Sequence, residues 1–289
     1  MPAGHPESKQ RLVSIMESLK SSPHWNYLYC FKPRKADFTD IALVHKESYI
    51  QKIKNFGTGH FDPDTYISKD TLEAALFAAG AVIEAVERCR SGEIDRAFCA
   101  VRPPGHHAEA GRAMGFCIFN NVAIGARYAQ KLGYKKIFII DFDVHHGNGT
   151  QHMFEDDDTV FYFSTHQHPH YPGTGGESEK GIGKGLGYTC NIPLGYGSGD
   201  DLFSQIYGRT VPELIKKFAP DMVMVSAGYD IHRRDPLSGL TVSSEGIRSI
   251  VRSILLSAEV PFVFALEGGY DLTALAESVR ITVEELLGV

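Results

Sequence analysis

The sequence predicts a three-layer α/β/α fold with a mostly parallel central sheet. From about residue 70 onward, apolar strand-like runs alternate with segments whose apolar residues recur at helical spacing. The strand-like runs do not alternate with polar residues, which is typical of strands that are buried on both faces of a parallel sheet. Helices would then cover both faces of the sheet through right-handed crossovers.

The individual elements follow from these patterns. Apolar residues recur at helical spacing over residues 72–86, and Gly92 supplies a C-terminal stop. The other predicted helices cover residues 120–132, 202–218, 245–258 and 272–287. The predicted strands cover residues 97–101, 136–140, 160–164, 189–193, 222–225 and 262–266. The Gly-rich stretch 172–187 is interpreted as a surface loop, so residues 1–289 are expected to form one catalytic domain.

Composition excludes several classes of protein. A hydrophobic content of 43% over 289 residues suits a globular chain with a sizeable core. The net charge of −6 argues against nucleic acid as a partner. The five cysteines form no CxxC pair, which favours reduced thiols. We find no signal peptide and no apolar run of 18 residues, so a soluble cytoplasmic protein without a membrane partner is expected.

Polar side chains follow four of the predicted strands, just past the point where each strand ends. Ligands bind at that edge of open α/β sheets, so these side chains are candidates for a functional site. The residues are His106 and His107 after the first strand, Asp141, Asp143 and His145 after the second, Asp230 after the fifth, and Tyr270 after the last.

Asp143, His145 and Asp230 are the candidate metal ligands. Asp143 and His145 are two residues apart, so on an extended backbone their side chains leave the same face. A lone aspartate past a strand more often caps a helix or loop, but the doublet together with a second strand-end aspartate is far more specific. Three protein ligands leave an open position, as catalytic zinc requires, and ferrous iron is an alternative because it accepts the same donor atoms.

His106 and His107 are candidates for proton transfer. They follow Arg102-Pro103-Pro104-Gly105, and the prolines stiffen the loop that holds the two imidazoles. Asp141 is a candidate partner for one imidazole and Asn148 for the other. A carboxylate partner favours imidazolium and an amide does not, so the two pKa values are expected to separate.

Tyr270 lies in the segment Glu267-Gly268-Gly269-Tyr270 after the last predicted strand. Two glycines let the backbone pass close to a ligand, and the phenol can donate a hydrogen bond to a developing oxyanion. A tyrosine taken alone is more often a packing residue whose hydroxyl is satisfied.

Three further histidines could imitate a metal site. His166, His168 and His170 alternate after a predicted strand, but Pro169 interrupts them and no partner carboxylate is obvious. They are interpreted as loop residues rather than ligands of a second metal.

With these motifs in place, the chain resembles the histone deacetylase family of zinc amidohydrolases, which has an arginase-like α/β fold. The matching segments are collinear and span almost the whole chain. The Asn148-Gly149-Thr150 variant is similar to the class II and bacterial branch. The segments are residues 5–7, 102–107, 115–117, 141–150, 171–175, 227–230 and 266–270.

The resemblance implies a role for each matching position. Asp143, His145 and Asp230 would bind zinc, and His107 would be the general base and acid. His106 would be its electrostatic partner bonded to Asp141, and Tyr270 would polarise the scissile carbonyl.

The resemblance also implies a substrate tunnel and structural potassium ions. Phe116 and Tyr171 would form the aromatic walls of an acyl-lysine tunnel, and Asp62 would be the carboxylate at its rim. The second wall is usually Phe, so the Tyr171 hydroxyl would alter the polarity of the tunnel. One potassium site would draw on Asp141, Asp143, His145, Ser164 and Thr165, and the other on Phe154, Asp157, Val160 and Tyr188.

Two positions distinguish branches of the family. Polyamine deacetylases place an acidic residue near the tunnel mouth, seven residues after the last zinc ligand in one branch. Leu237 occupies that position here, which favours an acyl-lysine over a polycationic amine. The family also has a strand before the His5-Pro6-Glu7 segment, so the sheet is expected to lack that strand, or the true start lies upstream.

The resulting hypothesis is a zinc-dependent amidohydrolase that removes acetyl or short acyl groups from the side-chain amine of lysine in proteins or peptides. The alternative is an acetylpolyamine amidohydrolase that acts on a small acylated amine with the same metal site. A non-catalytic acyl-lysine-binding protein is disfavoured because ligands, base and phenol are all present. The sequence leaves the physiological substrate, the acyl length and the oligomeric state open.

Overall fold

The computed structural model describes residues 4–289 and contains two sheets. The strands are β1 (Gly59–His60), β2 (Tyr66–Ile67), β3 (Arg96–Cys99), β4 (Ile137–Asp141), β5 (Val160–Gln167), β6 (Thr189–Leu194), β7 (Met222–Ala227) and β8 (Phe262–Leu266). The first two form a short antiparallel hairpin. The other six form one sheet in the order β3-β8-β7-β4-β5-β6, in which every described pairing is parallel.

Helices connect these strands and cover the sheet. The α-helices are α1 (Gln10–Ser21), α2 (Phe38–Ile41), α3 (Glu47–Asn55), α4 (Thr71–Ser91), α5 (Asn121–Lys131), α6 (Asn148–Phe154), α7 (Asp200–Gln205), α8 (Val211–Phe218), α9 (Ser244–Leu256) and α10 (Leu272–Leu287). Gly92 ends α4 in the left-handed region at φ 73°, as predicted.

Both faces of the large sheet are buried, which explains its uninterrupted apolar strands. Ile137 and Ile139 of β4 pack into a core shared with α4 and α5. Phe138 and Ile140 of the same strand point to the other face and pack against α8, α9 and α10. Successive side chains of a strand point to opposite faces, so a strand with a core on each side must be apolar at every position. The predicted three-layer α/β/α class is confirmed.

Most predicted elements shift by one or two residues at an end, and two differ for a clear physical reason. β5 continues to Gln167, three residues past the predicted end, although its last residues are polar. Thr165 and His166 stay buried there because their polar atoms are paired, with the Thr165 hydroxyl 2.8 Å from that of Tyr207. The predicted helix 202–218 is interrupted by a π-helical turn at residues 206–210. Pro212 lies in the first turn of the next helix and cannot donate a backbone hydrogen bond into the preceding turn.

The carboxyl ends of four neighbouring strands form one continuous edge. β3, β8, β7 and β4 are adjacent in the sheet, and these are the strands after which the candidate site residues were predicted. Because parallel strands end on the same side, the side chains that follow them are brought together. Within residues 4–289, β3 is also an outer strand, and its length of four residues limits the unpaired backbone it presents.

The five cysteines differ in burial. Cys89, Cys99 and Cys117 are buried free thiols, Cys190 is half-buried and Cys30 is exposed.

Among the described residues, no helix combines the length and the apolar character that crossing a bilayer requires.

Candidate metal centre and active site

Asp143, His145 and Asp230 meet at the carboxyl edge of the sheet. The first two lie in the loop after β4, and Asp230 follows β7, the strand paired with β4. His145 Nδ1 is 2.9 Å from Asp143 Oδ1 and 3.3 Å from Asp230 Oδ2. One ligand atom from each residue lies within 4.8 Å of the others, and residues 4–289 contain no second group of this kind. The predicted ligands therefore form one cluster.

The donor atoms of this cluster fit a divalent metal. Asp230 Oδ2 is buried without a hydrogen-bond partner among the described residues, whereas its Oδ1 accepts a bond of 2.9 Å from the Val144 amide. A tetrahedral zinc ion with bonds of about 2.0–2.1 Å separates its ligand atoms by roughly 3.3 Å, close to the two distances found here. Two carboxylates and one imidazole suit zinc, and they also suit ferrous iron. A metal held by these three residues would satisfy the orphaned oxygen and balance the buried negative charge.

His106 and His107 lie beside this cluster with the two partners predicted for them. His106 Nδ1 is 3.0 Å from Asp141 Oδ2, and His107 Nδ1 is 2.8 Å from Asn148 Oδ1. The two imidazole centroids are 4.0 Å apart, and both side chains are buried. Each imidazole is therefore fixed by one hydrogen bond from the side that faces away from the cavity.

Burial and the neighbouring charges separate the pKa values of the two histidines. Burial would lower the pKa of His106, but the carboxylates of Asp141, Asp143 and Glu267 outweigh burial and raise this pKa to about 10. At His107, burial acts together with the positive charges of His106 and His145, so its pKa lies well below the usual value. A neutral imidazole beside a charged one is the separation that the sequence predicted.

A narrow cavity of about 110 Å³ leads to these residues. Phe116 and Tyr171 form its aromatic walls, and Leu237 also lines it. The Tyr171 ring stands edge-on to the His107 ring with centroids 5.1 Å apart, and the Phe116 ring stands edge-on to Tyr270 at 6.1 Å. The structure thus brings the predicted wall residues and the predicted phenol into one cavity.

Tyr270 keeps its phenolic proton in this setting. Burial raises the pKa of the phenol well above its usual value, although the positive charge of Arg11 opposes the shift. The Arg11 guanidinium lies 5.1 Å from the centroid of the Tyr270 ring. Asp235 accepts bonds from the backbone amides of Tyr270 at 2.6 Å and Leu237 at 3.0 Å. One buried carboxylate thus positions both the phenol and the cavity wall.

These features match a known family. Residues 5–286 fit the family model described as Histone deacetylase domain. The chain belongs to the histone deacetylase family. Together with the Asp143/His145/Asp230 cluster, this membership makes the chain a metal-dependent amidohydrolase of the deacetylase type.

Individual members of the family cover most of the chain. A "Probable deacetylase" of Archaeoglobus fulgidus is 38% identical over an alignment of 276 residues that covers 93% of this chain and 77% of that protein. "Histone deacetylase 14, chloroplastic" of Arabidopsis thaliana is 40% identical over 309 residues, with 98% of this chain and 73% of the plant protein covered. A crystal structure of the HDA15 HD domain matches with a TM-score of 0.95 at 34% identity, covering 100% of this chain and 87% of that one.

Asp62, the predicted rim carboxylate of the deacetylase tunnel, does not line the cavity. Its Oδ1 accepts hydrogen bonds from the backbone amides of Asp64 and Thr65 at 3.1 and 2.7 Å, so it closes its own loop. Asp64 lines the cavity instead, and its Oδ1 accepts a bond of 3.0 Å from the Gly115 amide. That bond supports the turn in which Phe116 has a strained φ of 67°. The sequence could not separate two carboxylates that lie two positions apart in an irregular loop.

His166 departs from the loop prediction, whereas His170 agrees with it. His166 is not a loop residue: it lies inside β5, 2.9 Å from both Ser164 Oγ and the Gly175 carbonyl oxygen. His170 does lie in a loop, and its ring stacks on the ring of His145 at 5.0 Å. His170 therefore supports a metal ligand through packing.

Glu267 is a buried site residue that sequence reasoning left without a role. Its carboxylate accepts bonds from the backbone amides of Gly105 at 2.6 Å and His106 at 3.2 Å, and from the Ser226 hydroxyl at 3.2 Å. It therefore fixes the loop that carries the histidine pair. Its position at the end of the last strand could have marked Glu267 as a site residue. Its role could not be predicted, because the groups that it binds are distant in sequence.

Proposed function

We propose that this protein is a zinc-dependent hydrolase that removes acetyl or other short acyl groups from the side-chain amine of lysine in proteins or peptides. The observation that carries the proposal is the narrow cavity, walled by Phe116, Tyr171 and Leu237, which leads to the His106/His107 pair and Tyr270. Its small volume, about 110 Å³, suits an extended alkyl chain rather than a bulky substrate.

The side chains divide the chemistry of amide hydrolysis between them. A zinc ion held by Asp143, His145 and Asp230 would act as a Lewis acid and lower the pKa of a water molecule. In this proposal, neutral His107 takes the proton of the attacking water and returns it to the departing amine. The protonated phenol of Tyr270 donates a hydrogen bond to the developing oxyanion.

His106 supports the same reaction through its charge. Its bond to Asp141 and its raised pKa keep the imidazole protonated. The positive charge lies next to His107, with ring centroids 4.0 Å apart, and it favours the negative charge that develops at the substrate. His106 therefore acts as an electrostatic partner and not as a second base.

One observation favours the alternative substrate class, an acetylated polyamine. Asp64 lines the cavity, and a carboxylate there could bind a second cationic amine. Its Oδ1 already accepts bonds from the Gly115 amide and the Thr65 hydroxyl, each at 3.0 Å. Because that oxygen is engaged and Leu237 supplies an apolar wall, we favour the acyl-lysine.

A substrate panel tests this choice. We expect kcat/KM for an acetyl-lysine peptide to exceed that for acetylspermidine by at least about 10-fold, or about 1.4 kcal/mol. Longer acyl-lysines in the same assay define the acyl length, and metal analysis of the active protein distinguishes zinc from iron. A higher kcat/KM for acetylspermidine would overturn the lysine assignment and leave the amidohydrolase chemistry intact.

Potassium binding and a cytoplasmic location stay predictions.

Replacing Tyr270 by phenylalanine tests the role of the phenol. The variant loses one oxyanion donor, so we expect kcat on an acetyl-lysine peptide to fall by about 10²–10³-fold with metal content unchanged. Tyr128→Phe is the matched control, because its hydroxyl bonds Glu87 at 2.6 Å, away from the cavity. Unchanged turnover in Tyr270→Phe would remove the phenol from the mechanism.

A further inference from the structure

A line of hydrogen bonds connects His107 to the protein surface. His107 Nδ1 is 2.8 Å from Asn148 Oδ1, and Asn148 Nδ2 donates a bond of 2.5 Å to Glu109 Oε1. His152 Nδ1 lies 2.9 Å from the same Glu109 oxygen, and the side chain of His152 is 41% exposed. The mechanism proposed above uses the first two residues of this line and gives Glu109 no role.

The Glu109 carboxylate decides which way the Asn148 amide points. An amide has a donor end and an acceptor end, whereas an ionised carboxylate only accepts hydrogen bonds. The end of Asn148 that faces Glu109 must therefore be the NH₂ group. The reverse orientation would place the amide oxygen against a carboxylate oxygen, leaving two acceptors with no proton between them.

The orientation of the amide in turn fixes the tautomer of His107. With its NH₂ group committed to Glu109, Asn148 presents its oxygen to His107, and only a protonated Nδ1 can donate to that oxygen. The neutral imidazole then has its lone pair on Nε2, and His107 lines the cavity. A lone pair on Nε2 is what a general base at this position needs.

Glu109 is itself held firmly in place. Its backbone amide donates to the Arg112 carbonyl at 2.8 Å, and its own carbonyl is 3.1 Å from His45 Nδ1. Other acceptors for the Asn148 NH₂ group are weaker, since the His107 carbonyl oxygen and the Met114 sulfur both lie 3.4 Å away.

We propose that Glu109 is a positioning residue for the deacetylase reaction, which fixes the amide of Asn148 and through it the Nδ1-protonated tautomer of His107. Glu109 acts on His107 through Asn148, and no hydrogen bond joins it directly to the imidazole. The inference rests on the proposed role of His107 as general base.

Glu109→Gln is the informative variant because it keeps size and shape but adds a donor. A glutamine amide can pair with either orientation of Asn148, so the flipped form becomes accessible and the lone pair of His107 moves to Nδ1. We expect kcat to fall by about 10-fold or more, within the range typical of residues that orient a catalytic group, with KM nearly unchanged. Glu213→Gln is the control, since Glu213 is 68% exposed and pairs with Arg209 on the surface.

The effect of Glu109→Gln on kcat is expected to change sign when residue 148 is an aspartate. In Asn148→Asp, two carboxylates face each other, so the variant with Glu109 intact is impaired by repulsion. Adding Glu109→Gln to Asn148→Asp supplies a donor to the new carboxylate, whose other oxygen still accepts from His107. We therefore expect Glu109→Gln to lower kcat in the wild-type background and to raise it in the Asn148→Asp background. A merely structural role for Glu109 would lower kcat in both.

The tautomer provides a readout that does not depend on activity. In ¹⁵N-histidine-labelled protein, the His107 signal, assigned by comparison with His107→Gln, should report a protonated Nδ1 in the wild type and a mixture of tautomers in Glu109→Gln. The inference is overturned if the tautomer is unchanged, or if Glu109→Gln changes kcat in the same direction in both backgrounds. A wild type that hydrolyses no acyl amide would instead overturn the proposed function, and the spectra would still test the tautomer.

Discussion

Replacing Asp230 by alanine is expected to abolish metal binding and hydrolysis together. The variant leaves Asp143 and His145 as a two-ligand site, and two ligands cannot supply the three protein donors of a catalytic zinc site. Residues that only orient a ligand affect metal affinity or activity by about 10–100-fold, so loss of a ligand is expected to exceed about 100-fold.

The thermal stability of this variant separates a metal effect from a folding effect. Asp230 is a buried carboxylate whose pKa is raised to about 7, first by burial and then by the charge of Asp143. Its removal relieves this cost to the metal-free fold, but it also leaves the buried Val144 amide without its acceptor. Because the two effects oppose each other, we expect the Tm in a chelator to change little. Added zinc should raise the Tm of the wild type but not of Asp230→Ala, because only binding to the folded state stabilises it.

A surface aspartate serves as the control for this experiment. Asp201 is exposed in the first turn of α7, and its replacement by alanine should cost no more than about 1 kcal/mol through the helix dipole. Metal content and turnover should match the wild type. An Asp230→Ala protein that retains stoichiometric zinc would show that the cluster is not the metal site.

The parts of the site that were predictable are those that depend on short-range periodicity. Asp143 and His145 are two residues apart just after a strand, and the alternation expected of an extended backbone was enough to pair them as ligands, although both lie in the loop after β4. Asp230 could be added because parallel strands end at one edge of the sheet, whatever their order. The structure adds the order, in which β4 and β7 are neighbours.

The parts that could not be predicted depend on contacts between irregular segments. Asp64 rather than Asp62 lines the cavity because the irregular loop of residues 61–65 between β1 and β2 decides which carboxylate points inward. Glu109 meets Asn148 across 39 residues, and neither periodicity nor turn chemistry sets that contact. His166 stays in β5 because its two nitrogens find partners inside the protein, which a polar sequence alone does not indicate.

Gly268→Ala is expected to eliminate metal binding although no ligand is removed. A Cβ atom at this position would lie 1.9 Å from Asp230 Oδ2 and 2.6 Å from Asp143 Oδ2, so both carboxylates would have to move. They have little freedom to do so, because Asp230 accepts from the Val144 amide at 2.9 Å and Asp143 from the Gly268 amide at 2.7 Å. We expect turnover to fall by more than about 100-fold, beyond the effect of losing a residue that merely orients a ligand.

Gly195→Ala is the matched control, since a Cβ atom there meets nothing within 4 Å. It should retain wild-type zinc content, turnover and Tm. If Gly268→Ala binds zinc and hydrolyses acetyl-lysine normally, the close approach of this backbone to the carboxylates is not required. If the metal is lost, the role that the sequence analysis gave to the glycine pair, close approach of the backbone to a ligand, has to be revised. Gly268 then leaves room for the two carboxylates that hold the metal.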